Sequence, residues 1–145
     1  MQEYSIIIRK AEPKDFRAIQ KIQLEGGDAL LTCGEVIDIA DMELQSKSDT
    51  GLFGVAEVNG EVIGFIYGEK MDGRWAIGHY FAVKKDFRGT DVYQKLGEWF
   101  INQARSMDAK FICLYAESGN DKLINFYKRF GFNAGGTYVE MIKEI

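Results

Sequence analysis

The segment from Trp75 to Trp99, WAIGHYFAVKKDFRGTDVYQKLGEW, constrains the fold more than any other part of the chain. Its aromatic and aliphatic opening predicts a strand ending at Val83. A short basic turn through Arg88-Gly89 follows. Val92, Leu96, Trp99, Phe100 and Ala104 then line one face of a helix of about four turns, opposite Gln94, Lys95, Glu98 and Asn102. A strand feeding a helix through such a turn aims backbone N–H groups, the positive dipole end and an arginine at one point. Proteins hold phosphate or pyrophosphate that way. Asp91 and Tyr93, however, stand where glycines would let a ligand approach the backbone.

The flanking segments predict the rest of the fold. Ser5 to Arg9 reads as a first strand, and Pro13 sets a helix start with Phe16, Ile19 and Ile22 at helical spacing. Gly26-Gly27 breaks that helix. A loop with Cys33 and Gly34 leads to a second helix, with Ile37, Ala40 and Leu44 on one face. Leu52 to Val58 and Glu61 to Lys70 flank Asn59-Gly60, the strongest two-residue hairpin signal, and Asp72-Gly73 repeats it before Trp75. Phe111 to Ala116 reads as a buried strand parallel to Trp75–Val83, reached by a crossover helix. A helix from about Asp121 to Phe130 closes at Gly131, and Phe132 to Ile145 suggests two strands around Gly135-Gly136. The expected class is α/β: a mixed sheet, antiparallel at its N-terminal meander, with one parallel strand pair and helices on both faces.

At 145 residues the chain is expected to be one domain spanning 1–145. Hydrophobic residues are 46% and charged residues 28%, an ordinary globular balance. A net charge of −4 argues against nucleic acid as partner, since neutralising phosphates needs a basic face. The longest apolar run, Val62 to Gly68, is too short to cross a membrane, and MQEYSIII lacks a secretory leader. Cys33 and Cys113 lie far apart without metal-ligand spacing, so no metal and a reduced, cytoplasmic protein are expected.

The ligand is expected where two segments converge: the turn Lys84–Thr90, and Glu117-Ser118-Gly119-Asn120 at the end of the neighbouring parallel strand. Asn120 and Tyr127 lie about two helical turns apart, so both can face that crevice. Tyr127 can equally be a core aromatic beside Phe126 and Phe130.

The stretches FAV…RGTDVY and NDKLINFYKRFGF resemble the GNAT superfamily of N-acetyltransferases, as do the opening IIRKA and the order of elements. The resemblance covers essentially the whole chain. It implies acetyl-CoA as co-substrate, held where the parallel strand pair splays. The pantetheine arm would bond the strand backbone at Phe81, Ala82 and Val83. The pyrophosphate would meet Arg88, Gly89, Thr90, Asp91, Val92 and Tyr93, with Asn120 across the crevice. An acetyl group would then pass to a primary amine on a small molecule or peptide.

That transfer needs particular chemistry. An alkyl amine has a pKa near ~10.4 and must lose a proton before it attacks. By resemblance Tyr127 returns a proton to the departing thiolate. Many family members carry a glutamate at the position of Ile77, which cannot act as a base. Strand alternation puts Ile77, His79, Phe81 and Val83 on one face, making His79, the sole histidine, the candidate base. A hydrogen-bonded strand histidine is the competing reading. Glu117 acting through water is a further candidate, and a solvated carboxylate is its plain explanation. Cys113 reads as core packing rather than a nucleophile.

Asp91 also has two readings. A carboxylate about 4 Å from a phosphate oxygen costs ~4 kcal/mol per charge pair at an effective dielectric of 20, offset in part by Arg88, Lys84 and Lys85. Alternatively, Asp91-x-x-Gln94 forms a capping box. The alternative to an active enzyme is a binding or regulatory module on the same fold that has lost tight CoA affinity. The loop Glu25–Gly34, the turn Met71–Trp75 and the tail near Tyr138 are expected to line the acceptor pocket, where Asp28, Trp75, Tyr80 and Tyr138 would suit a cation. An edge of the C-terminal strand pair leaves room for a homodimer.

Overall fold

The computed structural model describes residues 5–25 and 37–145. The expected helix break at Gly26-Gly27 and the loop with Asp28, Cys33 and Gly34 lie outside the described residues. The chain divides into two compact units, Met1–Tyr115 and Ala116–Ile145.

The first unit is built on a five-stranded sheet in the order β1-β2-β3-β4-β5. β1 (Ile6–Lys10), β2 (Gly51–Val58), β3 (Glu61–Lys70) and β4 (Trp75–Val83) form the antiparallel meander, and β5 (Phe111–Cys113) pairs with β4 in parallel. Both hairpin signals act as expected. Asn59 and Gly60 have φ of 50° and 80°, the left-handed pair that a right-twisted two-residue turn requires. Gly73 (φ 80°) turns the next loop, closed by the Met71 amide donating to the Trp75 carbonyl at 2.9 Å.

Pro13–Asp15 forms one 3-10 turn before α1 (Phe16–Leu24), which buries Phe16, Ile19 and Ile22. In α2 (Ile39–Lys47) the buried face differs from the expected one. Met42 points inward, whereas Ala40 and Leu44 are exposed, and Ile37 is buried ahead of the helix. Asp38 caps the helix start by accepting the Ala40 amide at 2.9 Å, and packing against the rest of the core, not spacing along the helix, selects Met42 over Leu44 for the inner face.

α1 and α2 cover one sheet face, packing Phe16, Ile19 and Met42 against Phe53, Val55, Phe65, Tyr67 and Ala82. α3 (Val92–Ser106) covers the other. It lies close because the sheet there presents glycines: a Cβ on Gly54 would fall 2.5 Å from the Trp99 ring, and one on Gly64 3.2 Å from Leu96.

Arg9 ties β1 to the 3-10 turn. Its guanidinium donates to both oxygens of Asp15, at 2.7 and 2.9 Å, and its Nε to Glu57 at 2.8 Å. Asp15 also accepts the Glu12 amide at 2.8 Å and is 3% exposed. Burial alone would raise the Asp15 carboxyl, but Arg9 and the Glu12 amide outweigh it and hold it below its usual range. A lowered folded value means this stabilisation is present above the unfolded value of about 3.9 and is lost as pH falls through the folded one. Asp15→Asn should therefore cost about 2 kcal/mol or more at pH 7, and its deficit should shrink below about pH 4. Thermal melts of both proteins across that range check this; a constant gap would show that charge is not the cause.

Two expectations for strands are corrected. Phe111–Ala116 does not form one buried strand: β5 stops at Cys113, with Phe111 and Tyr115 exposed. The β4–β5 ladder ends at Ile77↔Cys113, just before β4 bulges. The tail forms no strands around Gly135-Gly136 either, and Tyr138, Val139, Met141 and Ile142 are exposed. Strand propensity without a ladder partner does not hold a strand, and the second unit's one regular element is a helix. The homodimer expectation, which leaned on that strand pair, has no edge there to lean on.

The second unit contains α4 (Asp121–Arg129), with Asn120 as N-cap. Its C-terminus is a Schellman motif: the Gly131 amide donates to the Lys128 carbonyl at 3.0 Å and the Phe132 amide to Tyr127 at 3.1 Å, with Gly131 at φ 91°. No helix among the described residues is long and apolar enough to cross a membrane.

Candidate active site

Beyond Ile77, β4 leaves the β5 ladder and keeps β3 as its neighbour. The Lys84 amide donates to the Ile63 carbonyl of β3 at 2.7 Å. Alternation therefore turns the Val83 and Phe81 amides to the edge away from β3, where an extended ligand could pair with the strand.

The turn after β4 folds tightly. Arg88 Nε returns to the Val83 carbonyl at 3.3 Å, and Thr90 Oγ1 donates to the Phe87 carbonyl at 2.5 Å. Gly89 has φ 81° with open space around its Cα, so conformation rather than room calls for glycine there.

The capping box does not form. Asp91 has ψ 9°, near-helical rather than extended, and makes no side-chain cap, whereas Asp38 with ψ 141° does. An N-cap side chain reaches the first-turn amides only from an extended backbone. Gln94 instead donates to Glu98 at 2.9 Å. The Asp91 carboxylate lies 3.9 Å from Lys95 Nζ, one turn along α3, and its side chain is 60% exposed. An exposed, partly paired charge costs a nearby phosphate closer to ~1 kcal/mol than to the low-dielectric value. Asp91→Asn should accordingly change acetyl-CoA affinity by less than about fivefold. A larger gain by titration calorimetry would mean the carboxylate turns into the loop. Tyr93, where the resemblance expects a small residue, packs edge-on against Phe81 with centroids 5.2 Å apart.

His79 sits elsewhere than alternation predicts. Tyr67 pairs with Tyr80 and Gly68 with Gly78, so His79 is the extra residue of a β-bulge. His79 and Tyr80 both turn toward Tyr67 on the α1/α2 face, with ring centroids 6.0 and 5.7 Å from it. Phe81 and Val83 point the other way, to α3. The bulge breaks the expected single face. His79 Nε2 lies 3.4 Å from Glu69 Oε1, and Glu69 Oε2 accepts from Gln45 of α2 at 3.3 Å. Burial, with the nearby negative charges of Asp41 and Glu69, pushes the Tyr67 phenol up to about 12.

Asn120 and Tyr127 belong to the second unit. Asn120 Oδ1 accepts the Leu123 amide at 3.2 Å, so its side chain caps α4. Tyr127 is buried, its ring against Phe126 and Phe132 at 5.3 and 5.6 Å, the apolar contact of the Schellman motif. Glu117 is exposed, and Cys113 is a half-buried free thiol.

Glu69, Gln45 and Tyr67 were not among the expected site residues. The signal for Glu69 was available, because the Asp72-Gly73 hairpin sets Glu69 opposite Ile77, two residues from His79.

Residues 17–132 match the acetyltransferase (GNAT) family. Among solved structures, Ard1 from Thermoplasma volcanium is 28% identical with a TM-score of 0.78, covering 90% of this chain and 84% of its own. The aminoglycoside N-acetyltransferase AAC(6')-Iy, solved with CoA, is 14% identical with a TM-score of 0.79, covering 99% and 98%. A ribosomal-protein-alanine N-acetyltransferase from Brucella melitensis is 16% identical with a TM-score of 0.73, covering 96% and 100%. A match running through most of the chain, on a sheet whose last two strands part after Ile77, leads to one assignment: the chain belongs to the GNAT family of acetyltransferases.

Proposed function

We propose that this chain, acting as one domain over residues 1–145 in the cytoplasm, moves an acetyl group from acetyl-CoA to a primary amine of a small molecule or peptide. The observation that carries this reading is the end of β4. The strand is released from β5, turns through Arg88 and Gly89, and enters α3 without a carboxylate capping the helix. Such a helix start suits a pyrophosphate. The residues present therefore fit the co-substrate. Acetyl-CoA, when bound, supplies the activated acyl group as a thioester.

The remaining work falls to the chain. The Phe81–Val83 backbone orients the pantetheine arm, and the Val83 amide donates to the thioester carbonyl oxygen, where negative charge grows. Arg88 through Tyr93 hold the pyrophosphate, and Asn120, in its own unit, fixes the start of α4. His79 takes the proton that the amine must lose, and Tyr127 returns one to the sulfur. The similar structures named for aminoglycosides and for a ribosomal-protein alanine support an amine acceptor.

A binding module without turnover is the second reading, favoured by the Tyr93 ring against Phe81 beside the cofactor path. Thermal melts with acetyl-CoA and an amine panel followed by thiol release test both. A ligand at a hundred times its Kd stabilises by ~2.7 kcal/mol. A shift with thiol release on some amine supports the enzyme. A shift without release across the panel counts against transfer to these amines, and no shift at millimolar acetyl-CoA supports the module, which has lost tight CoA affinity.

A further inference from the structure

The geometry points to Glu69 as the positioning residue of His79, an inference that rests on His79 being the base. His79 is the extra residue of the β4 bulge, so strand pairing does not orient its ring as it orients its neighbours. Something else must. Glu69, across the ladder from Ile77, reaches it from β3: Oε1 lies 3.4 Å from His79 Nε2. The other oxygen is held by Gln45 Nε2 at 3.3 Å, which anchors the carboxylate to α2. The His79 and Glu69 side chains are 35% and 36% exposed, open enough for a substrate to reach.

A carboxylate at Nε2 selects the tautomer with its proton there and leaves the lone pair on Nδ1. Nδ1 then accepts the proton of the incoming amine, the ring becomes imidazolium, and Glu69 faces the new positive charge until water takes the proton. Beside the pair lies Tyr67 of β3, its ring 6.0 Å from that of His79, and among the described residues the groups whose charge acts on that phenol are Asp41 of α2, Glu69 and Tyr80 of β4. Tyr67, pushed up to about 12, stays a neutral phenol and does not compete as base.

The test combines steady-state kinetics with ¹⁵N spectra of the imidazole, which are unambiguous because the chain has one histidine. Glu69→Gln should lower kcat about tenfold or more with amine KM within about twofold, and Glu69→Asp should recover part of the loss. In a His79→Ala background Glu69→Gln should add nothing. Without substrate, the neutral ring should be predominantly Nε2–H in the unaltered protein and a mixture of tautomers in Glu69→Gln. Unchanged kcat in Glu69→Gln, or identical spectra, would overturn the inference. A further fall in the His79→Ala background would also overturn it, because Glu69 would then act on the substrate directly. Full activity of His79→Ala would instead remove His79 as base, and the spectra would still report whether Glu69 holds the ring.

Discussion

Tyr127→Phe is expected to lower kcat about a hundredfold or more while acetyl-CoA affinity changes by less than about threefold. The substitution removes one oxygen and leaves the ring. The ring's packing against Phe126 and Phe132, and the Schellman turn built around it, should survive. Folding and cofactor affinity therefore separate from proton donation. Single-turnover rates and calorimetric affinity for acetyl-CoA read the two quantities independently. Equal losses in both would make Tyr127 a packing residue and take the acid role away from it.

The second large effect is structural. Gly68→Ala should destabilise the protein by about 3 kcal/mol, a fall in melting temperature of about 10 °C for a chain of this size. A Cβ on Gly68 would overlap the Ile77 carbonyl oxygen of the neighbouring strand and come within 2.7 Å of the Phe100 ring. A side-chain clash can be relieved by a rotamer; a clash with a ladder carbonyl moves the strand. That strand carries the His79 bulge one pair further on, so activity should fall more than the population of folded protein does. Stability within 1 kcal/mol of the unaltered protein would show that β4 yields at no cost.

Much of the fold is legible in the sequence itself. Asn59-Gly60 and Asp72-Gly73 set β3 and β4 to Glu61–Lys70 and Trp75–Val83, as the turn chemistry predicted. The α3 face of Val92, Leu96, Phe100 and Ala104 is buried as its spacing required. Errors came where a local signal had to compete with something distant. The α2 face differs because packing of Met42 into the core with Phe16 and Phe53, rather than spacing along the helix, sets which side turns inward. The tail strands had propensity and no partner. The site is partly legible: a turn through Arg88 and Gly89 leads from β4 into α3 as expected, but a capping role for Asp91 requires a backbone angle that no residue pattern reports.

Local chemistry decided what depends on neighbours in the chain: where the Asn59-Gly60 turn falls, how the hairpin strands on either side of it are bounded, and where a helix ends at Gly131. Those outcomes follow from φ preferences, side-chain period and hydrogen bonds only a few residues long. Tertiary packing decided the rest. Whether His79 points with Phe81 or against it turns on one inserted residue in the β3–β4 register. Whether Arg9 is solvated or locked turns on Asp15 and Glu57 arriving beside it. Such pairings are set by the free energy of the whole sheet and its two helical faces, which no window of sequence contains.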